Sequence, residues 1–170
     1  MDKLKTHTDK RGCLTLVESG HEIPFDITRA YWIYDVPAGE ERGKHANKIS
    51  YQYLVAVNGS VDICLENING RTTYHLDSKD KGLLIPPQTW NELTNFSQDA
   101  VLMVLASHSY DPETYINSYE ELEEVYKSLV FTYFATSLKD IKKIVFEKGG
   151  THITLSFSRF KKQEGNIIEI

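Results

Sequence analysis

Cysteine is scarce in this chain, with only Cys13 and Cys64 in 170 residues. Each sits in an apolar run, which predicts buried free thiols and no disulfide framework. Positive charge is short too: 24 acidic residues face 19 basic ones, a net charge of −5. No global basic field invites nucleic acid, so any anion site must be a local cluster. Long apolar runs are missing; none approaches the roughly 18 residues of a membrane helix. The opening Met1-Asp-Lys-Leu-Lys-Thr-His7 has no apolar core of the signal-peptide kind. A cytoplasmic protein without membrane or nucleic-acid partners is expected. There is no nucleophile elbow, phosphate-cradling glycine loop or paired-cysteine motif. His7, His21, His75, His108 and His152 are scattered and match no metal spacing.

What is present is an ordinary globular composition, 41% hydrophobic and 25% charged, enough for one domain with a real core plus an appendage. Residues 13–107 read as short strands separated by turn signals. Phe25 to Tyr34 alternates apolar and polar side chains as a half-buried strand does. Ile49–Val57 ends in Asn58-Gly59, a strong hairpin signal. Val61–Glu66, Thr72–Leu76, Gly82–Ile85 and Ala100–Ala106 follow. Pro86-Pro87 closes its strand because proline supplies no ladder donor. From Pro112 to Lys127 a helix is predicted, with Tyr115, Ile116, Tyr119, Leu122 and Tyr126 on one face. Residues 1–127 are read as one domain. Residues 128–170 form a C-terminal extension that covers the barrel, joins a partner chain or begins a truncated module.

The densest chemistry lies between Gly39 and Gly59. Gly39, His45 and Gly59 hold the spacing at which metal-binding cupin barrels carry a glycine, a pair of histidines, a glutamate and a second glycine. Here the second histidine is Asn47, and the glutamate position falls on Tyr51 or Gln52. A lone imidazole does not make the three or four good ligands a metal wants. His45, flanked by Arg42, Lys44 and Lys48, points instead to metal-free acid–base chemistry on an anionic ligand. No metal and no cofactor are expected.

A longer ordered set carries a family resemblance: Arg11-Gly-x-Leu14, Ile23-Pro-Phe-x-Ile27, Arg29-x-Tyr31-x-Ile33-Tyr34, and Arg42-Gly-x-His45-Ala-Asn-Lys48. Gln52, Gly59, Gly82-Leu-x-Ile85-Pro-Pro-x-x-Trp90-x-Glu92, and Tyr110-Asp-x-x-x-Tyr115-Ile116 complete it. The chain resembles the WxcM-like, FdtA/QdtA-type sugar-nucleotide ketoisomerases of the cupin superfamily over roughly residues 10–125. The resemblance implies an all-β jelly-roll cupin barrel with a short C-terminal helix, assembled as a homodimer. It implies metal-independent isomerisation of dTDP-4-keto-6-deoxyglucose to a 3-keto-6-deoxyhexose, a step toward amino sugars of surface polysaccharides.

Moving a ketone from C4 to C3 needs a base near neutral pH, and His45 is assigned that role. Asn47 is a candidate donor to the enediolate, and it cannot be a base. Tyr31, Tyr34, Tyr51 and Tyr53 crowd the region, and Tyr34 is taken forward as the acid or relay. Arg42 and Lys48, with Arg29 in reserve, suit a diphosphate. Gln52 joins the substrate-binding set, Trp90 is expected to floor the sugar pocket and Glu92 to bind a sugar hydroxyl. Two other readings stand beside this one. One is a sugar-nucleotide-binding cupin that has lost turnover through Asn47. The other is a 3,5-epimerase of the same substrate, which would use a His–Asp pair.

Overall fold

The computed structural model describes residues 1–68, 70–137, 141–146 and 153–157. Ten strands make two five-stranded antiparallel sheets. The first runs β1 (Asp2–Lys3), β9 (Lys81–Ile85), β6 (Gln52–Asn58), β11 (Val101–Ala106) and β4 (Arg29–Tyr34) in spatial order. The second runs β12 (Tyr115–Ile116), β5 (Arg42–Asn47), β10 (Trp90–Thr94), β7 (Val61–Asn67) and β8 (Gly70–Leu76). Successive strands mostly alternate between the sheets, which is the jelly-roll arrangement expected above. A separate hairpin joins β2 (Thr6–Asp9) to β3 (Gly12–Thr15), and another joins β13 (Ile141–Phe146) to β14 (Ile153–Phe157).

Strand alternation sorts the side chains into three cores. Between the sheets lie Leu54, Ala56, Ile63, Leu65, Leu83, Ile85, Leu93, Leu102 and Val104. The outer face of the first sheet packs Tyr53, Val55 and Leu105 under Leu4 and Ile23 of the N-terminal segment. The outer face of the second packs Ala46, Trp90 and Ile116 against Leu122 of the helix α1 (Tyr119–Ser137). Cys64 is buried as expected, but Cys13 is exposed on the β2–β3 hairpin.

The helix begins later than its apolar spacing predicts. Pro112–Thr114 is a 3₁₀ turn capped by the Asp111 side chain, which accepts from the Glu113 amide. Tyr115 and Ile116 then spend their backbone on β5, opposite Asn47 and Ala46. The α-helix starts where Ser118 Oγ accepts from Glu121 N (3.1 Å) and the Glu121 carboxylate accepts from Asn117 N (3.1 Å), a serine–glutamate cap of familiar type. Of the expected strand Thr151–Phe160, Ile153–Phe157 is a strand. Its flanks, and the Gly165–Glu169 segment, lie outside the described residues.

Candidate functional site

Arg42 and His45 are three residues apart, and in a regular strand they would point to opposite faces. The pairing of β5 with β10 removes that conflict. Arg42 pairs with Leu93, Gly43 with Glu92 and His45 with Asn91, so Lys44 is an extra residue without an opposite number. This β-bulge restores Arg42 and His45 to the inner face, beside Leu93 and Asn91. Lys44 sits at φ +58° and Gly43 at φ +79°. A Cβ on Gly43 would lie 2.6 Å from Asn91 Oδ1 and 2.7 Å from Asn91 O, so the glycine is what lets the strands approach.

His45 is half-buried. Its Nδ1 lies 3.1 Å from the Gly43 carbonyl, which can only accept, so Nδ1 carries the proton and Nε2 keeps its lone pair. Burial pushes the imidazole below its ordinary value, against the opposing Gly43 contact, so the ring is neutral near pH 7. The edge of Tyr115 packs on it, with centroids 4.9 Å apart. Tyr110 lies 5.7 Å from Tyr115.

Across the barrel, Arg29 pairs with Ala106 and Ala106 with Gln52, which sets all three in one row of the inner face. The Arg29 guanidinium lies 4.9 Å from the Tyr31 ring centroid and 5.6 Å from that of Tyr110. Its Nε is buried with no hydrogen-bond partner among the described residues. An unpaired buried donor costs on the order of 1–3 kcal/mol, and an anion entering the barrel would relieve it. Burial pushes the Tyr31 hydroxyl up to about 12, aided by Tyr115 and opposed by Arg29. Tyr31 therefore stays protonated and can donate a hydrogen bond.

The barrel thus gathers Arg29, Tyr31, His45, Gln52 and Tyr115 on its inner face, with Tyr110 beside Arg29 and Tyr115. Tyr110 and Tyr115 escaped the site assignment because helical spacing absorbed Tyr115; the ordered set Tyr110-Asp-x-x-x-Tyr115 held the signal. Tyr34 is 60% exposed, on the face of β4 opposite to Arg29 and Tyr31, and does not join them. Register from Arg29 selects Tyr31.

Other expected residues are engaged elsewhere. Asn47 lies 7% exposed. Its Oδ1 accepts from Ile49 N (3.0 Å) and Ser50 N (2.7 Å), and its Nδ2 donates to Thr114 Oγ1 (2.9 Å). It builds the turn after β5 and ties it to the segment before β12. Lys48 Nζ donates to the Glu113 carbonyl at 3.0 Å and pairs with Glu121 at 3.4 Å, so its ammonium serves the start of α1. Lys44 pairs with Glu41 at 2.5 Å. Trp90 points outward, stacked on Tyr119 at 4.3 Å in the core beneath α1, and floors no inner pocket. Glu92 accepts from Trp90 Nε1 at 3.1 Å and binds Arg71 at 2.5 Å, on the same outer face. Among the described residues no three of His, Cys, Asp and Glu cluster as metal ligands would.

A jelly roll whose inner face presents one neutral imidazole opposite an arginine, with tyrosines between them, is a cupin-type barrel fitted for proton transfer on an anionic ligand. Comparison with known proteins carries this further. The model of the FdtA family (WxcM-like, C-terminal) matches residues 1–127, and the chain belongs to that family. It is 42% identical over 116 residues to the TDP-4-oxo-6-deoxy-alpha-D-glucose-3,4-oxoisomerase of Aneurinibacillus thermoaerophilus, covering 68% of this chain and 84% of the relative. The QdtA sugar 3,4-ketoisomerase of Thermoanaerobacterium thermosaccharolyticum, solved with TDP, superposes with a TM-score of 0.70 at 39% identity, covering 74% of this chain and 93% of the other. The WlaRA TDP-fucose-3,4-ketoisomerase of Campylobacter jejuni gives 0.71 at 34%, covering 75% and 95%. The ChmJ 3'-monoepimerase of Streptomyces bikiniensis and the rmlC epimerase of Mycobacterium tuberculosis stand further off, at 18–20% identity, where the likeness shows the fold alone.

Proposed function

We propose that the protein isomerises dTDP-4-keto-6-deoxyglucose to a dTDP-3-keto-6-deoxyhexose, with His45 as the proton carrier. The observation that supports it is the 3.1 Å contact between His45 Nδ1 and the Gly43 carbonyl, which favours the proton on Nδ1 and leaves Nε2 free to act as the base. His45 Nε2 takes the C3 proton, the C3–H pair forms the C3=C4 bond, and the C4 carbonyl becomes an enediolate oxygen. Tyr31 is placed to donate to that oxygen, as preorganised donors do where charge develops. Arg29, with Arg42 at the exposed rim of the same inner face, supplies charge for the diphosphate. The family membership and the relatives' activities support this reading.

The test is proton exchange. The purified protein, incubated with dTDP-4-keto-6-deoxyglucose in deuterated buffer, is expected to exchange the C3 proton and form a 3-ketone, followed by NMR. Binding without exchange would sink the proposal and leave a sugar-nucleotide-binding cupin. The 3,5-epimerase reading loses ground on one observation. His45 pairs with a carbonyl, while the described His–Asp pair, His75–Asp62 at 2.6 Å, lies on the outer face of the second sheet.

A homodimer is part of the same proposal. β4 is an edge strand of its sheet, and its outer face leaves Trp32 56% and Tyr34 60% exposed. Aromatics of this kind are the side chains that anchor interfaces.

A further inference from the structure

The departure at position 47 bears on which product the site makes. Among the described residues, His45 is the sole imidazole on the inner face. His7, His21 and His108 are exposed, and His75 is held by Asp62 outside the barrel. Among the described residues, no inner-facing position of the two five-stranded sheets carries Asp or Glu: Leu93, Ile63 and Tyr74 line one row, and Val104, Leu54 and Leu83 another. Asn47, two residues beyond His45 on the same face, carries an amide that cannot hold a transferable proton, and its oxygen is tied to the Ile49 and Ser50 amides.

We propose that His45 is the single proton carrier for both carbons, so that the proton leaves C3 and arrives at C4 on the same face of the sugar. This rests on the ketoisomerase reading above and names its stereochemical outcome. After the first step His45 is an imidazolium. The enediolate then collapses: the C3 hydroxyl proton passes to the C4 oxygen, C3 becomes the carbonyl, and the C=C pair takes the proton from Nε2 at C4. No oxidant or reductant is consumed. In a D-gluco ring the C3 hydrogen is axial. Delivery to C4 on that same face leaves the new hydrogen equatorial and the C4 hydroxyl axial, the D-galacto arrangement at that carbon. Delivery from the opposite face would restore the equatorial hydroxyl. The phenol facing the site from the other sheet, Tyr31, is a far weaker acid than an imidazolium, so it suits hydrogen bonding to oxygen more than protonation of carbon.

The experiment is product stereochemistry in ordinary water. The full-length protein is incubated with dTDP-4-keto-6-deoxyglucose, and the H4–H5 coupling of the 3-keto product is read by NMR at early conversion. A small coupling, from an equatorial H4, is expected, together with loss in His45→Gln of the product and, in deuterated buffer, of C3 exchange. A large coupling, from an axial H4, would overturn the single-carrier inference and leave the isomerase reading standing. Turnover surviving in a folded His45→Gln would overturn it as well. Neither exchange nor product from the unaltered protein would defeat the isomerase reading itself, and the inference with it.

Discussion

At the scale of single residues the proposed chemistry turns on two groups on opposite walls. As the proposed base, His45 would work only while neutral, and burial holds its titration below the ordinary histidine value. The acid limb of kcat/KM is therefore expected below pH 6.5, the ordinary histidine value, in the pH profile of the unaltered protein. The same shift sets a sign for stability. An unfolded chain binds a proton at this histidine before the folded one does, so its contribution is intact above pH 6.5 and shrinks as the pH falls. Denaturant titrations between pH 7 and 5 would read that direction. Arg29 is the second group. Its buried Nε, without a partner among the described residues, and its two aromatic neighbours predict that Arg29→Ala weakens dTDP binding by about 10- to 100-fold, the range of hydrogen bonds to charged groups. Calorimetric titration checks it, and an unchanged affinity would assign the anion to Arg42 instead.

At the scale of elements, the strand β5 and the turn after it carry the geometry. Gly43→Ala would force a methyl into the Asn91 backbone at a left-handed φ, and a destabilisation of about 1–3 kcal/mol is expected. Asn47→Ala would strip two amides and a threonine of their partner and cost about 1–3 kcal/mol, seen as a lower Tm. If Asn47→Ala folds at full stability yet loses turnover, the amide is part of the chemistry and not of the turn. Much of this region was legible in the sequence. Asn58-Gly59 marked its hairpin, because turn residues act through their own backbone, and the spacing of Gly39, His45 and Gly59 marked the barrel. Three things were not legible, each decided by a distant partner. Tyr115 shares helical spacing with Ile116 and Tyr119, yet its backbone is claimed by Asn47 across the strand pair. Trp90 is apolar enough for either face of β10, and α1 decides which. Lys48 reads as an anion holder until Glu113 and Glu121 arrive from further along the chain.

At the scale of the whole molecule, the outer face of the second sheet is covered in part by α1, over Ala46, Trp90 and Ile116, and that of the first in part by the N-terminal segment. Leu4 and Ile23 cover Tyr53 and Leu105, while the β4 edge stays bare. If a second copy covers that edge, Trp32→Lys should shift the protein from dimer to monomer in sedimentation analysis, with the barrel still folded. A dimer that persists would move the interface elsewhere.

The bulge at Lys44 has a consequence for how this strand can change over time. Its contribution is arithmetic: one residue more makes an odd separation behave as an even one. The side chain itself is dispensable, since its pair with Glu41 is exposed and screened by solvent, while left-handed φ strains any residue that carries a Cβ. Lys44→Gly should therefore be neutral or mildly stabilising. Deleting Lys44 should instead turn either Arg42 or His45 out of the barrel and abolish turnover, although no residue of the inner face has been touched. In this stretch the chain is tolerant of spelling and intolerant of length.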